Sequence, residues 1–254
     1  MYFDTHAHYD DRRYDADRNE LFETLPKAGV DYVINVSVDL RTSFKSVEFA
    51  EKHGFIYAAV GVHPSEALTA SDADIESVKK LCSSEKVVAV GEIGLDYHYD
   101  DGPPKDVQKR VFKRLLAVAS SAGLPVAVHS RDAASDTFDA IVESGVRKGV
   151  IHCFSGGAQL AQDYVKLGFH IGVGGVVTFP NAKKLKEAVE TVPIDRILLE
   201  TDCPYLTPQQ KRGLRNDSQN LSYICAEIAR IRQIEPEEIA RITTENALKL
   251  FAIK

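Results

Sequence analysis

Residues 87–97 read Val-Val-Ala-Val-Gly-Glu-Ile-Gly-Leu-Asp-Tyr, in which five uncharged residues precede the first carboxylate, Glu92. A strand that is apolar at consecutive positions, rather than at alternate ones, is typical of a parallel sheet covered on both faces. A carboxylate at the end of such a strand is unfavourable unless it is paired, hydrogen-bonded or bound to a metal. The segment therefore predicts a buried parallel strand, Val87–Glu92, with a candidate functional residue at its carboxyl end.

Further short apolar segments recur along the chain, several of them rich in valine and isoleucine. They are Met1–Thr5, Tyr32–Ser37, Ile56–Gly61, Pro125–His129, Gly149–His152, Phe169–Val173 and Arg196–Thr201. Longer stretches with helical spacing of apolar residues lie between or after them. These are Val107–Ala122, Asp136–Ser144 and Ala158–Leu167, each followed by glycine, and Glu235–Phe251 near the end of the chain.

Eight strand-like segments that alternate with helices predict the α/β class and, within it, a (β/α)8 TIM barrel. No low-complexity tract or flexible linker marks a domain boundary, so we expect one barrel domain over residues 1–254. An open doubly wound sheet is the alternative, because periodicity alone does not show that a sheet closes.

Composition and charge narrow the class of protein. The 254 residues carry a net charge of −6, which argues against a surface that binds nucleic acid by counterion release alone. That charge is compatible with a nucleic-acid substrate held by metal ions and a local basic loop. The chain has neither an apolar run long enough for a transmembrane helix nor a signal peptide at its start, and its four cysteines form no CxxC pair. We therefore expect a cytoplasmic protein with reduced thiols, no membrane association and no obligate protein partner, compatible with a monomer.

The candidate metal ligands share one position, the carboxyl end of a predicted strand. In chain order they are His6, His8, Glu92, His129, His152 and Asp202. The carboxyl ends of barrel strands converge on one face, where the βα loops build active sites. His6 and His8 stand at i and i+2, so both imidazoles of an extended chain point the same way. Their shared position predicts a metal site rather than a set of unrelated packing histidines.

Four histidines and two carboxylates suit Zn, Mn, Ni or Co and are rich in nitrogen for a purely Mg site. One arrangement places His6, His8, Glu92 and Asp202 on a first cation, while Glu92, His129 and His152 hold a second. Two divalent cations would activate a water molecule and stabilise charge on a phosphoryl or carbonyl oxygen. Asp202, as ligand, general base or both, and Glu92 are the candidate catalytic residues.

At these residues the sequence resembles the TatD-like deoxyribonucleases, a family of metal-dependent hydrolases with a barrel fold. The segments that carry the resemblance, in the family's order, are Asp4–His8, Gly61–Pro64, Gly91–Tyr97, His129–Arg131, His152–Gly156 and Glu200–Tyr205. The resemblance implies divalent metal at all six candidate ligands and phosphodiester hydrolysis, commonly 3′→5′ exonuclease action on DNA. It also implies that Asp202 holds the attacking water and that His63 lies near the substrate phosphate.

The loop after Tyr205 departs from the family's usual Pro-His-Arg-Gly-Lys-Arg-Asn. Here Lys211-Arg212-Gly213-Leu214-Arg215-Asn216 lacks the histidine and one lysine, which leaves the preferred substrate open. Arg212 and Arg215 make this loop locally basic and are candidates for binding a phosphate. Arg131 is a further candidate, with a structural ion pair to an acid such as Glu200 as the alternative.

Two other functions compete with the nuclease hypothesis. An amidohydrolase-type lactonase, esterase or amidase uses the same two-metal scaffold, since a fold does not fix a function. Many such enzymes bridge their metals with a carboxylated lysine, whereas the fourth strand here ends in Glu92 and no predicted strand ends in lysine. A non-catalytic scaffold would have lost ligands, yet all six positions are filled.

Overall fold

A computed structural model describes residues 1–254 and arranges eight strands in one sheet in the order of the chain. The strands are β1 Tyr2–Ala7, β2 Val30–Val36, β3 Ile56–Val60, β4 Val87–Asp96, β5 Val126–Arg131, β6 Gly149–Ile151, β7 Phe169–Val173 and β8 Ile197–Leu199. The pairs β1–β2, β3–β4, β4–β5, β5–β6 and β7–β8 are all parallel.

Helices connect the parallel strands and complete the alternation that the sequence predicts. They are α1 Arg18–Thr24, α2 Leu40–Lys52, α3 Asp72–Leu81, α4 Lys105–Ala122, α5 Ala134–Ser144, α6 Ala158–Lys166, α7 Lys183–Thr191, α8 Leu221–Arg232 and α9 Pro236–Leu250. Helices α4 and α5 end immediately before Gly123 and Gly145, as predicted. None of the helices combines the length and the apolar character needed to cross a membrane.

The first and last strands of the sheet meet through the residues that follow them. Ala7 at the end of β1 forms a parallel bridge with Cys203, just beyond β8. The amide of His8 donates to the carbonyl of Cys203 at 2.8 Å, and the amide of Asp202 donates to the carbonyl of His6 at 2.9 Å. An uninterrupted strand order with this closing contact is that of a (β/α)8 barrel, whereas a doubly wound sheet reverses its strand order at a switch point. The barrel prediction is confirmed.

Contacts along the chain divide it into two compact units. The first unit comprises Met1–Asn35 and Cys153–Lys254, and the second comprises Val36–His152. In the first unit, the ring of Phe3 on β1 stacks on Tyr32 of β2 and packs beside Phe251, which follows α9. In the second unit, β4 is buried at every position from Val87 to Leu95, as its continuous apolar run predicts.

Strand β4 extends beyond its predicted end, through Glu92 to Asp96. The added residues pair with β5, where Gly94 lies opposite His129. The sequence alone placed Glu92 at the strand's carboxyl end, whereas pairing with β5 carries four more residues into the sheet. Asp96 therefore lies on the same strand as Glu92, four residues further along.

A buried carboxylate ties β1 to the residues after β8 within the first unit. Asp4 is fully buried and accepts hydrogen bonds from the amides of His6 and Thr201 and from the hydroxyls of Thr201 and Ser218. Burial raises the pKa of Asp4 to about 7, although these hydrogen bonds act to lower it. Thr201 directly precedes Asp202, so the Asp4 carboxylate fixes the segment that carries Asp202 against the strand that carries His6.

We expect Asp4→Ala to lower the free energy of unfolding by about 3 kcal/mol, because it leaves the buried donors of Thr201 without an acceptor. Urea unfolding of the metal-free protein measures this loss without a contribution from ligand binding. Asp100→Ala is the matched control, since Asp100 is exposed, and it should be neutral. Equal stability of the two variants would contradict the role of Asp4.

Candidate functional site

The first unit brings together His6, His8 and Asp202 at the junction of β1 with the segment after β8. The Nε2 atoms of His6 and His8 lie 3.2 Å apart. The Oδ1 atom of Asp202 lies 3.3 Å from Nε2 of His8 and 3.9 Å from Nε2 of His6. Both histidines are buried, and Asp202 holds a left-handed backbone conformation with φ of 56°, which is uncommon for a residue with a side chain.

These distances fit a shared cation. Two ligands that each lie about 2.05 Å from one zinc ion are about 3.3 Å apart at the tetrahedral angle and can be at most about 4.1 Å apart. The three donor pairs of His6, His8 and Asp202, at 3.2, 3.3 and 3.9 Å, all satisfy this limit. The spacing of this donor set is therefore compatible with one divalent metal.

The second unit brings together Glu92, His129 and His152, from strands β4 and β5 and from the residue after β6. One donor atom from each lies within 4.8 Å of the other two. The Oε1 atom of Glu92 is 2.9 Å from Nδ1 of His129 and 3.7 Å from Nε2 of His152, again within the limit for ligands of one ion. Glu92 is almost completely buried, and its amide donates to the carbonyl of Ser37 on the neighbouring chain segment.

Asp96 orients His129 from the side opposite Glu92. The Oδ2 atom of Asp96 lies 3.0 Å from Nε2 of His129. Burial acts to lower the pKa of His129, but the carboxylates of Asp96 and Glu92 outweigh it and raise this pKa to about 9. A histidine that ligates a metal commonly donates its other ring N–H to a carboxylate, which fixes both tautomer and ring orientation. Asp96 takes that place for a ligating Nδ1 of His129.

Asp4, Asp96 and Glu200 are not among the residues that the sequence predicts for the site. The sequence signal for Asp96 was its even spacing from Glu92, which places both side chains on one side of a strand, but it depends on β4 being longer than predicted. Glu200 is buried and accepts the amide hydrogen of Cys153 at 2.6 Å. Nothing in the local sequence of Glu200 indicates this partner, because the two residues are 47 positions apart.

The residues predicted to bind substrate lie in different surroundings. The ring centres of His63 and His129 lie 4.5 Å apart, and Nε2 of His63 lies 3.9 Å from Oε1 of Glu92. Arg131 is exposed and donates to the hydroxyl of Tyr99. The structure therefore brings His63, and not Arg131, into contact with the donor set of the second unit.

Two arginines of the basic loop in the first unit differ in their partners. Arg215 donates to Oδ1 of Asp17 at 2.8 Å and to the carbonyl of Arg13 at 2.7 Å, which holds the loop against the segment after β1. Arg212 is exposed. Arg212 is therefore the better placed of the two to meet a ligand from solvent, while Arg215 has a structural ion pair.

Comparison with known proteins identifies the family of this chain. The model of the family described as TatD related DNase matches residues 3–252. The chain belongs to this family. It is 45% identical to YabD of Bacillus subtilis, an uncharacterized metal-dependent hydrolase, over the full length of both chains. It is 36% identical to the metal-dependent hydrolase TatD of Mycobacterium tuberculosis, covering 98% of this chain and 97% of that one.

A solved structure supports the fold as well as the family. The crystal structure of YjjV, a TatD homologue from Escherichia coli, is similar with a TM-score of 0.95 and 32% identity, over 100% of this chain and 98% of that one. The family match and the relatives show that the chain is a metal-dependent hydrolase of the TatD family, and its donor sets include groups that could hold a metal ion.

We expect Gly94→Ala to disrupt the second donor set. Gly94 has φ of 148°, and an added Cβ would lie 2.0 Å from the carbonyl oxygen of His129. The substitution should therefore displace His129 and destabilise the fold by about 3 kcal/mol. Thermal and urea unfolding measure the loss. Gly54→Ala, where an added Cβ meets no atom within 4 Å, should stay within about 1 kcal/mol of the wild type. A fully stable Gly94→Ala protein would contradict the close approach of β4 to β5.

Removing Asp96 should weaken metal binding without removing a ligand. In Asp96→Ala the ring of His129 loses the carboxylate that orients it, and affinity for Zn or Mn should fall about 10- to 100-fold. Isothermal titration calorimetry of the metal-free protein measures this change. Asp136→Ala is the control, because Asp136 pairs with Lys109 and Tyr97 rather than with a candidate ligand. Unchanged affinity in Asp96→Ala would show that Asp96 does not position His129.

Proposed function

We propose that this hydrolase cleaves phosphodiester bonds of DNA and acts as a 3′→5′ exodeoxyribonuclease. The observation that carries the proposal is the pair of compact donor sets, each with two imidazoles and one carboxylate whose donor atoms lie within 4.8 Å of one another. The description of the family as DNases supports DNA as the substrate. Cleavage of a phosphodiester by water requires activation of that water and stabilisation of negative charge on the phosphoryl oxygens, which such sites supply.

We propose that two divalent cations serve the reaction. His6, His8 and Asp202 would hold metal in the first unit, and Glu92, His129 and His152 would hold metal in the second. When bound, such cations supply Lewis-acid charge that activates water and stabilises developing charge on phosphoryl oxygens. The predominance of imidazole nitrogen favours Zn, Mn, Ni or Co over Mg.

Asp202 is the residue we assign to the attacking water. Its side chain is 16% exposed, compared with 1% for His6 and 9% for His8, so it is the donor of the first set that solvent reaches most readily. A carboxylate in this position accepts the proton that water loses as it attacks phosphorus. The hydrogen bond from the amide of Asp202 to the carbonyl of His6 keeps the carboxylate beside the imidazoles while it does so.

Glu92 and the basic side chains complete the proposed machinery. Glu92, buried and in contact with two imidazoles, contributes fixed negative charge to the second set. We assign His63, which adjoins that set, to the substrate phosphate, with Arg131, Arg212 and Arg215 as further phosphate contacts. Arg215 would bind phosphate only by sharing or leaving its ion pair with Asp17.

A substrate panel decides between this proposal and a small-molecule hydrolase. The metal-loaded protein is assayed on linear and circular single-stranded DNA, RNA, phosphate esters and lactones. Stepwise shortening of a 5′-labelled linear strand, with circular DNA resistant, is the result expected of a 3′→5′ exonuclease. Hydrolysis of lactones with no cleavage of DNA would overturn the proposal in favour of an amidohydrolase-type activity.

We expect Asp202→Ala to lower the turnover number on single-stranded DNA about a thousandfold, because the carboxylate that accepts the proton from water is lost. Metal content is measured on the same preparation, so that loss of cation is distinguished from loss of the base. Asp195→Ala is the control, since Asp195 is an exposed carboxylate of the same unit beside Arg196. Undiminished nuclease activity in Asp202→Ala would refute the assignment of Asp202 to the water.

A further inference from the structure

The loop that follows Asp202 exposes apolar and basic side chains together. We call residues 205–216 the Tyr205 loop. Tyr205 is 45% exposed, Leu206 43% and Leu214 64%. The same loop carries Lys211, Arg212 and Arg215 in a protein whose net charge is −6. Exposed aromatic and apolar groups beside positive charge are typical of surfaces that bind single-stranded nucleic acid through base stacking and phosphate contacts.

Tyr205 is part of an ordered stack with Arg13. The guanidinium carbon of Arg13 lies 4.0 Å from the centre of the Tyr205 ring. The carboxylate of Asp11 fixes both partners. It accepts hydrogen bonds from Nε and Nη2 of Arg13, at 3.1 and 3.0 Å, and from the hydroxyl of Tyr205, at 3.0 Å. A guanidinium held by a bidentate carboxylate and stacked on a ring is a rigid planar surface, so little entropy is lost when another planar group binds to it.

The stack lies directly beside the donor set of the first unit. The ring centre of Tyr205 is 6.3 Å from that of His8, edge to face. The amide of Tyr205 donates to the carbonyl of Asp202, and the side-chain amide of Asn216 donates to the carbonyls of Thr201 and Tyr205. One backbone hydrogen bond and two from the Asn216 side chain therefore hold the backbone of Tyr205 in place beside Asp202.

We propose that Tyr205 and Arg13 form a stacking platform for the base of the nucleotide next to the scissile phosphate of single-stranded DNA. This inference rests on the proposed phosphodiesterase activity. A phosphate held beside His8 and Asp202 places its own nucleotide within reach of the adjacent ring. Both the Tyr205 ring and the Arg13 guanidinium accept a base by stacking, and every base has a suitable face. The platform therefore favours an unpaired end over a base-paired one, without a strong preference for sequence.

The variants separate stacking from structure. Tyr205→Ala removes the ring, while Tyr205→Phe keeps the ring and removes only the hydrogen bond to Asp11. Arg13→Ala removes the other plane of the platform. Tyr57→Ala is the matched control, because Tyr57 also stacks with a cation, Lys86 at 4.3 Å, but lies near the amino end of β3.

Three substrates make the test specific for a base. These are a single-stranded oligonucleotide, the same oligonucleotide with an abasic residue at the cleaved end, and a strand of the same length that carries no bases at all. Tyr205→Ala should raise KM for the normal oligonucleotide about tenfold, since loss of one stacked base typically has an effect of this order. Tyr205→Phe and Tyr57→Ala should stay near the wild type. The effect of Tyr205→Ala should disappear on both substrates that lack a base at the cleaved end.

Each contrary outcome has a distinct meaning. An equal loss of Tyr205→Ala on all three substrates would overturn the platform and assign the ring a structural role. An unchanged KM on the normal strand would overturn it as well. If the wild type hydrolyses none of the three, the proposed function fails. The platform is then tested by the equilibrium binding of a fluorescent single strand to the metal-loaded wild type and to Tyr205→Ala. Equal affinities of the two proteins would overturn it.

Discussion

The buried carboxylate of Asp4 is the interaction on which the arrangement of the first unit depends. It accepts hydrogen bonds from the strand that carries His6 and from Thr201, which is 197 residues away and adjoins Asp202. Burial disfavours the charged form of the carboxylate and therefore raises the pKa of Asp4, whereas the hydrogen bonds from its neighbours stabilise the charged form. The same bonds thereby hold the histidine pair and Asp202 close together, with their donor atoms 3.2 to 3.9 Å apart.

In the second unit, the candidate ligands are positioned by the close approach of the β4 and β5 backbones. Gly94 lies opposite His129 in the β4–β5 pairing, in a conformation and at a separation that exclude a side chain. That approach keeps β4 in the sheet as far as Asp96, and Asp96 can then face the outer nitrogen of His129. A ring held between two carboxylates stays in one orientation, which prepares it to bind a cation with little reorganisation.

Acidic composition and a nucleic-acid substrate are compatible because the positive charge is local. The Tyr205 loop carries Lys211, Arg212 and Arg215, and its first residue, Tyr205, lies beside the donor set of the first unit. Three acidic side chains of the same unit, Asp11, Asp15 and Asp17, form ion pairs with Arg13, Arg18 and Arg215. Affinity for a polyanion would thus arise from bound cations and a few contacts near them. Binding of this kind gives a weaker dependence on salt than an extended basic surface does.

Local periodicity and the residue types at strand ends are enough to predict the alternation of strands and helices, the barrel class and the six candidate ligands. The continuous apolar run before Glu92 is buried as predicted. Tertiary contacts alone account for the extension of β4 to Asp96, the burial of Asp4, the partner of Glu200 and the stacking of Arg13 on Tyr205. Each of these depends on which distant backbone lies alongside, and a local pattern does not specify a contact between residues nearly two hundred positions apart, such as Asp11 and Tyr205.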